Sequence, residues 1–185
     1  MEATSSMSYT TNIQHPQVLW FDIETDKIDA SVIHCLVTMD EDGNIRRYNH
    51  AEQGNLREGL EILSQADLLI GHNIIGFDLQ VIHRLYPGWY TRACIRDTLV
   101  LSRLAWPNLK DLDYRRKGFP RELIGSHSLK AWGVRLEFQK FDYADQEDPW
   151  SAWSMEMEDY CVRDVEVTHR LFRDILEQNL PDAAV

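Results

Sequence analysis

The chain has 185 residues, 44% of them hydrophobic, with six Trp and a formal net charge of −11, which is apolar material for one sizeable core and one domain. Its acidity argues against a protein that clings to duplex nucleic acid through a broad basic surface, without excluding a nuclease, and no apolar run approaches the roughly 18 residues of a membrane span. Cys35, Cys94 and Cys161 are odd in number and lack CxxC spacing, which argues against a disulfide framework and a zinc site and for reduced thiols in a cytoplasm.

Residues 1–17 are polar, without a basic-then-apolar signal pattern, and read as an extension before a domain over residues 18–180. Val18 to Ile23 and Val32 to Met39 read as strands, and a third lies near Ile45 to Tyr48. Asp42-Gly43 is a hairpin signal that joins the second and third strands antiparallel. Leu recurs at helical spacing from Leu56 to Leu63, and a short buried strand follows at Leu68 to Gly71. Phe77 to Leu85 reads as a helix stopped by Pro87-Gly88, and Ile95 to Thr98 as a brief strand feeding a helix through Leu104. From there to Ser128 the composition predicts a long loop with at most short helices. A short helix at Ser128 to Trp132 and a long amphipathic one over Trp153 to Asn179 complete an α/β pattern: a mixed central sheet with helices on both faces.

Carboxylates recur at the edges of these apolar segments. In an extended strand residues two apart share a face, so Asp22 and Glu24 project together while Phe21 and Ile23 point the other way. An unpaired charge at such an edge costs free energy or shifts its pKa upward, and a shared divalent cation removes both difficulties. Asp78 follows the Gly71-His72-Asn73 turn and Gly76 at a helix start, where it reads either as a cap of that helix or as a ligand beyond the carboxyl edge of the sheet. Tyr160 and Asp164 lie four apart on the final helix and share one face. Four carboxylates and a phenol are the set a two-metal phosphodiesterase needs.

Basic residues concentrate between Arg103 and Lys140, with Lys110, Arg115, Arg116, Lys117, Arg121, Lys130 and Arg135 between. The stretch reads equally as a substrate track and as a solvated surface. His34, His72 and His83 read as structural or surface residues, and so do Trp106, Trp132, Trp150 and Trp153.

Taken together, Phe21-Asp22-Ile23-Glu24-Thr25, Asn73 with Phe77-Asp78, and Tyr160 with Asp164 resemble the 3′→5′ proofreading exonuclease domain of family A DNA polymerases. This is the tyrosine-bearing DEDD, DnaQ-like superfamily, whose fold is RNase H-like. The segments Asp97-Thr98-Leu99-Val100-Leu101-Ser102-Arg103, Asn108-Leu109-Lys110-Asp111, Gly125-Ser126-His127-Ser128-Leu129-Lys130-Ala131-Trp132-Gly133 and Asp159 to Val165 are similar to those of podovirus-type phage replicative polymerases. The likeness spans Val18 to Leu176. His169 lies five after Asp164 and position 159 is Asp159, so the histidine-bearing sister form does not fit.

The resemblance implies a metal-dependent exonuclease that releases 5′-mononucleotides from unpaired DNA 3′ ends, freestanding or proofreading in trans for a polymerase subunit, in the cytoplasm of a bacterial or phage-infected cell. It implies two divalent cations, Mg²⁺ or Mn²⁺, with Asp22, Glu24 and Asp164 at the first, Asp22 and the phosphate at the second, and Asp78 acting on the second through water. Tyr160 would orient the attacking water, and Thr25, Asn73, Phe77, His127 and Leu129 would line the channel for the 3′ end. An RNA-trimming enzyme of the same superfamily and a non-catalytic nucleic-acid-binding module remain as alternatives. The intact carboxylates and Tyr160 weigh against the latter.

Overall fold

The computed structural model describes residues 17–51, 55–138 and 150–179. Apart from Gln17, the expected N-terminal extension lies outside them. In chain order the elements are β1 (Val18–Thr25), β2 (Ile33–Asp40), β3 (Ile45–Asn49), α1 (Leu56–Gln65), β4 (Leu68–Gly71), α2 (Asp78–Leu85), β5 (Cys94–Asp97), α3 (Thr98–Ala105), α4 (Leu109–Asp113), α5 (Leu129–Arg135), α6 (Met155–Arg170) and α7 (Glu177–Asn179). The five strands form one mixed sheet in the order β3-β2-β1-β4-β5. β1 to β3 run antiparallel as a meander, while β4 and β5 join parallel to β1.

Strand alternation splits the interior into two cores, one on each face of this sheet. Leu19, Phe21, Ile23, Leu36 and Leu69 pack on one side with Leu60, Leu63, Val81 and Ile82 of α1 and α2. Trp20, Cys35, Val37, Met39 and Ile70 pack on the other with Trp132 of α5 and Met157, Cys161 and Val165 of α6. Helices therefore cover both faces of an α/β sheet, as the order of apolar segments predicts. The β2–β3 turn is fixed by Asp40, whose carboxylate accepts the amides of Asp42 and Asn44 at 3.1 and 2.9 Å, while Gly43 takes the left-handed conformation at φ 81° that glycine favours.

The segment before Ser128 is the expected long loop with at most short helices, since it holds the short α4 and a 3₁₀ turn at Arg121–Leu123, and buried hydrogen bonds pin it. Asp113, at the end of α4, takes the amide of Gly125 at 2.8 Å and a two-pronged contact from Arg135 at 3.0 and 2.7 Å, in a pair buried to 1% and 0% side-chain exposure. One expectation needs correction: the last helix, expected over Trp153 to Asn179, is not one continuous α-helix. Ser154 caps α6 by accepting the amide of Met157 at 3.1 Å, so Trp153 lies outside it. Past Arg170 the chain widens into a π-helical segment, Leu171–Leu176, that buries Leu171, Phe172 and Leu176.

Candidate active site

β1 carries Asp22 and Glu24 in the same row as Trp20, the row that faces α6. Leu19 to Phe21 and Ile23 are buried, whereas Asp22 and Glu24 remain partly exposed. The pairing of β1 with β2 slips immediately after Glu24, which faces Cys35 while Thr25 faces Ile33; such bulges commonly re-aim side chains beside active sites. Beyond it Asp26 closes a tight loop, taking the amides of Ser31 and Val32 at 2.7 and 3.1 Å and the Ser31 hydroxyl.

α6 crosses this row. Carboxylate oxygens of Asp22 and Glu24 and the Cys161 sulfur lie within 4.8 Å of one another. The thiol donates to the Asp22 carbonyl at 3.4 Å and reaches its Oδ2 at 3.5 Å. Burial, the Cys35 thiol and the charges of Asp22 and Glu24 raise the Cys161 pKa well above its ordinary value, so the sulfur stays protonated and acts as a donor. What it leaves facing a cation is carboxylate oxygen, a donor set that suits Mg²⁺ or Mn²⁺. Tyr160 and Asp164 flank Cys161 on the same helix. Tyr160 is partly exposed with its ring edge-on to Trp150 at 5.8 Å, and Asp164 is buried.

Asp78 arrives from α2. β4 pairs with β1 only from Val18 to Trp20, which leaves the amide of Ile23 beyond the end of that strand, and Asp78 Oδ1 accepts it at 3.2 Å. The carboxyl is buried. That burial, opposed by its backbone hydrogen bonds and reinforced by Asp97 and Asp164, pushes its pKa up to about 7. The approach needs Gly71, because a Cβ there would stand 2.2 Å from Ile74 and 2.9 Å from the Phe21 carbonyl. Asp22 and Glu24 thus share one 4.8 Å cluster; Asp78 is tied to it through the Ile23 amide, and Asp164 through the helix that carries Cys161.

Asp97 went unassigned in the sequence. Its carboxylate accepts the amides of Asn73 and Ile75 at 2.9 and 3.0 Å and caps α3 through Leu99 and Val100. It thereby fixes the turn in which Asn73 is left-handed, φ 64°. Its place at a strand end before a helix was the legible signal, since Asp there is a preferred cap.

The expected substrate residues divide. A cleft of about 720 Å³ opens beside the cluster, lined by Glu24, Thr25, Ile28, Phe77 and Trp150 among others. Thr25 spends its hydroxyl on the Lys27 carbonyl at 2.9 Å, and Asn73 is exposed on its turn. His127 and Leu129 do not line that cleft. Leu129, expected along the channel, sits in the second core at 7% exposure as the first residue of α5. His127 pairs with Ser102 at 3.0 Å and stands edge-on to Trp132; burial and then Arg135 and Arg103 lower its pKa. Of the basic stretch, Arg103, Lys110, Arg115, Arg116, Lys117, Arg121 and Lys130 are exposed, Arg135 is buried, and Lys140 lies outside the described residues. His169 packs against Trp20 at 4.6 Å, a structural role.

Comparison with known proteins adds relatives to this geometry. No protein-family model matches the chain. It is 34% identical over 183 aligned residues to the DNA-directed DNA polymerase of Enterobacteria phage T3, covering 84% of this chain and 26% of the relative. The DNA-directed DNA polymerase of Escherichia phage T7 is 33% identical over the same coverage. The chain spans about a quarter of the length of these curated relatives. Among solved structures, a nuclease in its apo form superposes with a TM-score of 0.64 at 22% identity, over 91% of this chain and 75% of the other. Brucella melitensis NrnC does so at 0.60 and 21%, over 88% and 73%, and the same protein bound to pGG at 0.58 and 20%, over 88% and 72%. The chain shares its α/β, RNase H-like fold with these nuclease structures, and its sequence is similar to about a quarter of each phage polymerase.

Proposed function

We propose that this domain is a divalent-metal-dependent 3′→5′ exonuclease that removes 5′-mononucleotides from the 3′ end of DNA, preferring single-stranded or unpaired ends. The observation that carries the reading is the junction of β1 and α6: the carboxylates of Asp22 and Glu24 cluster there, beside Tyr160 on α6 and at the mouth of the cleft. Asp22, Glu24 and Asp164 would hold one cation, and Asp22 with the scissile phosphate a second, with Asp78 acting through water. When bound, such ions supply an acidified water and neutralise charge on the phosphate.

The chain's own residues do the rest. Tyr160 orients the attacking water, the phosphodiester bond on the 3′ side of the penultimate sugar breaks, and the terminal nucleotide leaves with its 5′-phosphate. Thr25 and Phe77 flank that nucleotide in the cleft, and the Asn73 turn, held by Asp97, keeps α2 and Asp78 in place. The exposed basic side chains between Arg103 and Lys130 suit the phosphates of the strand further from its end. Proofreading in trans for a polymerase is the biological setting that the likeness to the phage polymerases supports.

The pGG bound by NrnC supports a second reading, RNA 3′-end trimming at the same site. Matched DNA and RNA oligonucleotides labelled at the 5′ end separate the two. With Mn²⁺, the DNA strand should shorten one nucleotide at a time, faster than RNA or blunt duplex, and chelator should stop the ladder. Faster shortening of the RNA would favour the second reading, and a chelator-resistant ladder would refute both.

A further inference from the structure

Trp150 stands outside every motif that carries the exonuclease reading, yet it forms a wall of the cleft that opens at Glu24. It is half-buried. Its ring meets the Tyr160 ring in an edge-to-face contact, 5.8 Å between centroids at 71°. The main chain is anchored as well, because His34 Nε2 donates to the Trp150 carbonyl at 3.1 Å. His34 is itself 4% exposed and rests against the His50 ring at 5.0 Å, while His50 Nδ1 meets the His34 carbonyl at 3.1 Å. Among the described residues His34 Nδ1 has no hydrogen-bond partner, which leaves Nε2 as the protonated nitrogen of the neutral ring. A buried histidine on β2 thus holds an indole at the edge of a cleft that Phe77 and Ile28 also line, the latter 90% exposed.

A cleft lined by an indole, a phenyl ring and an exposed apolar side chain offers apolar faces on which a flat base can stack, and stacking is tolerant of which base it is. The cleft falls within the roughly 300–1,000 Å³ of small-ligand sites. Resting on the exonuclease reading, we propose that Trp150 is a substrate-contacting residue whose indole stacks on a base of the bound 3′ end, and that His34 is the positioning residue that seats it. The contact with Tyr160 links the same indole to the group that orients the water, so the occupied cleft and the phenol share one wall.

Steady-state hydrolysis of oligothymidylate in Mn²⁺ tests this with the whole chain. Trp150→Ala should raise KM roughly ten-fold, the size expected for one lost base–aromatic stack, and Trp150→Phe should raise it less. His34→Ala should raise KM in the same direction, and His34→Gln, which can still donate to the Trp150 carbonyl, should restore it; a merely structural His34 would lower the melting temperature and leave KM unmoved. Titrating oligothymidylate in Ca²⁺ should quench tryptophan fluorescence in the parent and do so less in Trp150→Phe, a variant that serves if Trp150→Ala fails to fold. Parent-like KM and parent-like quenching in the Trp150 variants would overturn the proposal. Asp22→Ala, run alongside, separates the two claims: if it abolishes turnover while Trp150→Ala keeps the parent KM, only the role of Trp150 falls, and if it leaves turnover intact the exonuclease reading falls first.

Discussion

Burial pushes the Asp78 carboxyl up to about 7, the Ile23 amide opposes that shift, and the charges of Asp97 and Asp164 add to it. The unfolded chain releases this proton near 3.8, whereas the folded chain keeps it until about 7. Between those values unfolding releases a proton, so this group makes the metal-free protein less stable as pH rises through that window. Asp78→Asn keeps an oxygen for the Ile23 amide and removes the charge. Urea denaturation without metal should therefore find the variant more stable than the parent at pH 8 and little different at pH 3, while its nuclease activity is lost. Gly71 makes the complementary point about space. Gly71→Ala should cost about 1–3 kcal/mol, measured in the same way, because the Phe21 carbonyl that its Cβ meets belongs to the backbone and cannot swing aside. Asp22, Glu24 and Asp78 were legible as acids in apolar surroundings. Asp97 was legible only as a cap and not as the anchor of the Asn73 turn, and Cys161 was not legible at all, because what a side chain touches across the fold leaves no periodic trace in the sequence.

Elements whose hydrogen bonds are local match the sequence well. β1, β2, the Asp42-Gly43 hairpin and α1 fall where alternation and spacing put them, since each is determined by its own residues and by one buried face. The segment from Trp106 to Ser128 is the loop with short helices that its composition predicts, but the pairing that orders it joins residues 22 apart and leaves no local trace. Burial alone would raise the pKa of Asp113, but the side-chain hydrogen bonds from Arg135, the Gly125 amide and the Arg135 charge hold it below its ordinary value. Its contribution to stability is present above the unfolded pKa and disappears as pH falls through the lower folded value. Asp113→Ala leaves Arg135 charged and buried against Trp132 and Phe119, and should destabilise by about 3–5 kcal/mol in chemical denaturation. Replacing both partners with apolar residues should cost less. In α6 the amphipathic pattern continues through Leu176, which is why the sequence gives no sign of the change to π-helical turns after Arg170.

At the level of the molecule, one sheet divides two cores, and its central strand delivers alternate residues to each. That division is what lets β1 bury Phe21 and Ile23 while turning Asp22 and Glu24 toward α6. The chain carries a formal charge of −11, and a cluster of carboxylates adds local repulsion that a divalent cation relieves. No helix among the described residues is long and apolar enough to cross a membrane. A cation that binds the folded chain and not the unfolded one stabilises it by mass action, so Mn²⁺ should raise the melting temperature of the parent and not that of an Asp22→Ala, Glu24→Ala double variant. The central claim is that the β1 pair and the α6 helix together make a cation site, and Mn²⁺ binding measured by electron paramagnetic resonance, with thymidine 5′-monophosphate present, tests it most directly. The parent should remove Mn²⁺ from the free pool and the double variant should not; equal binding by the two would contradict the account.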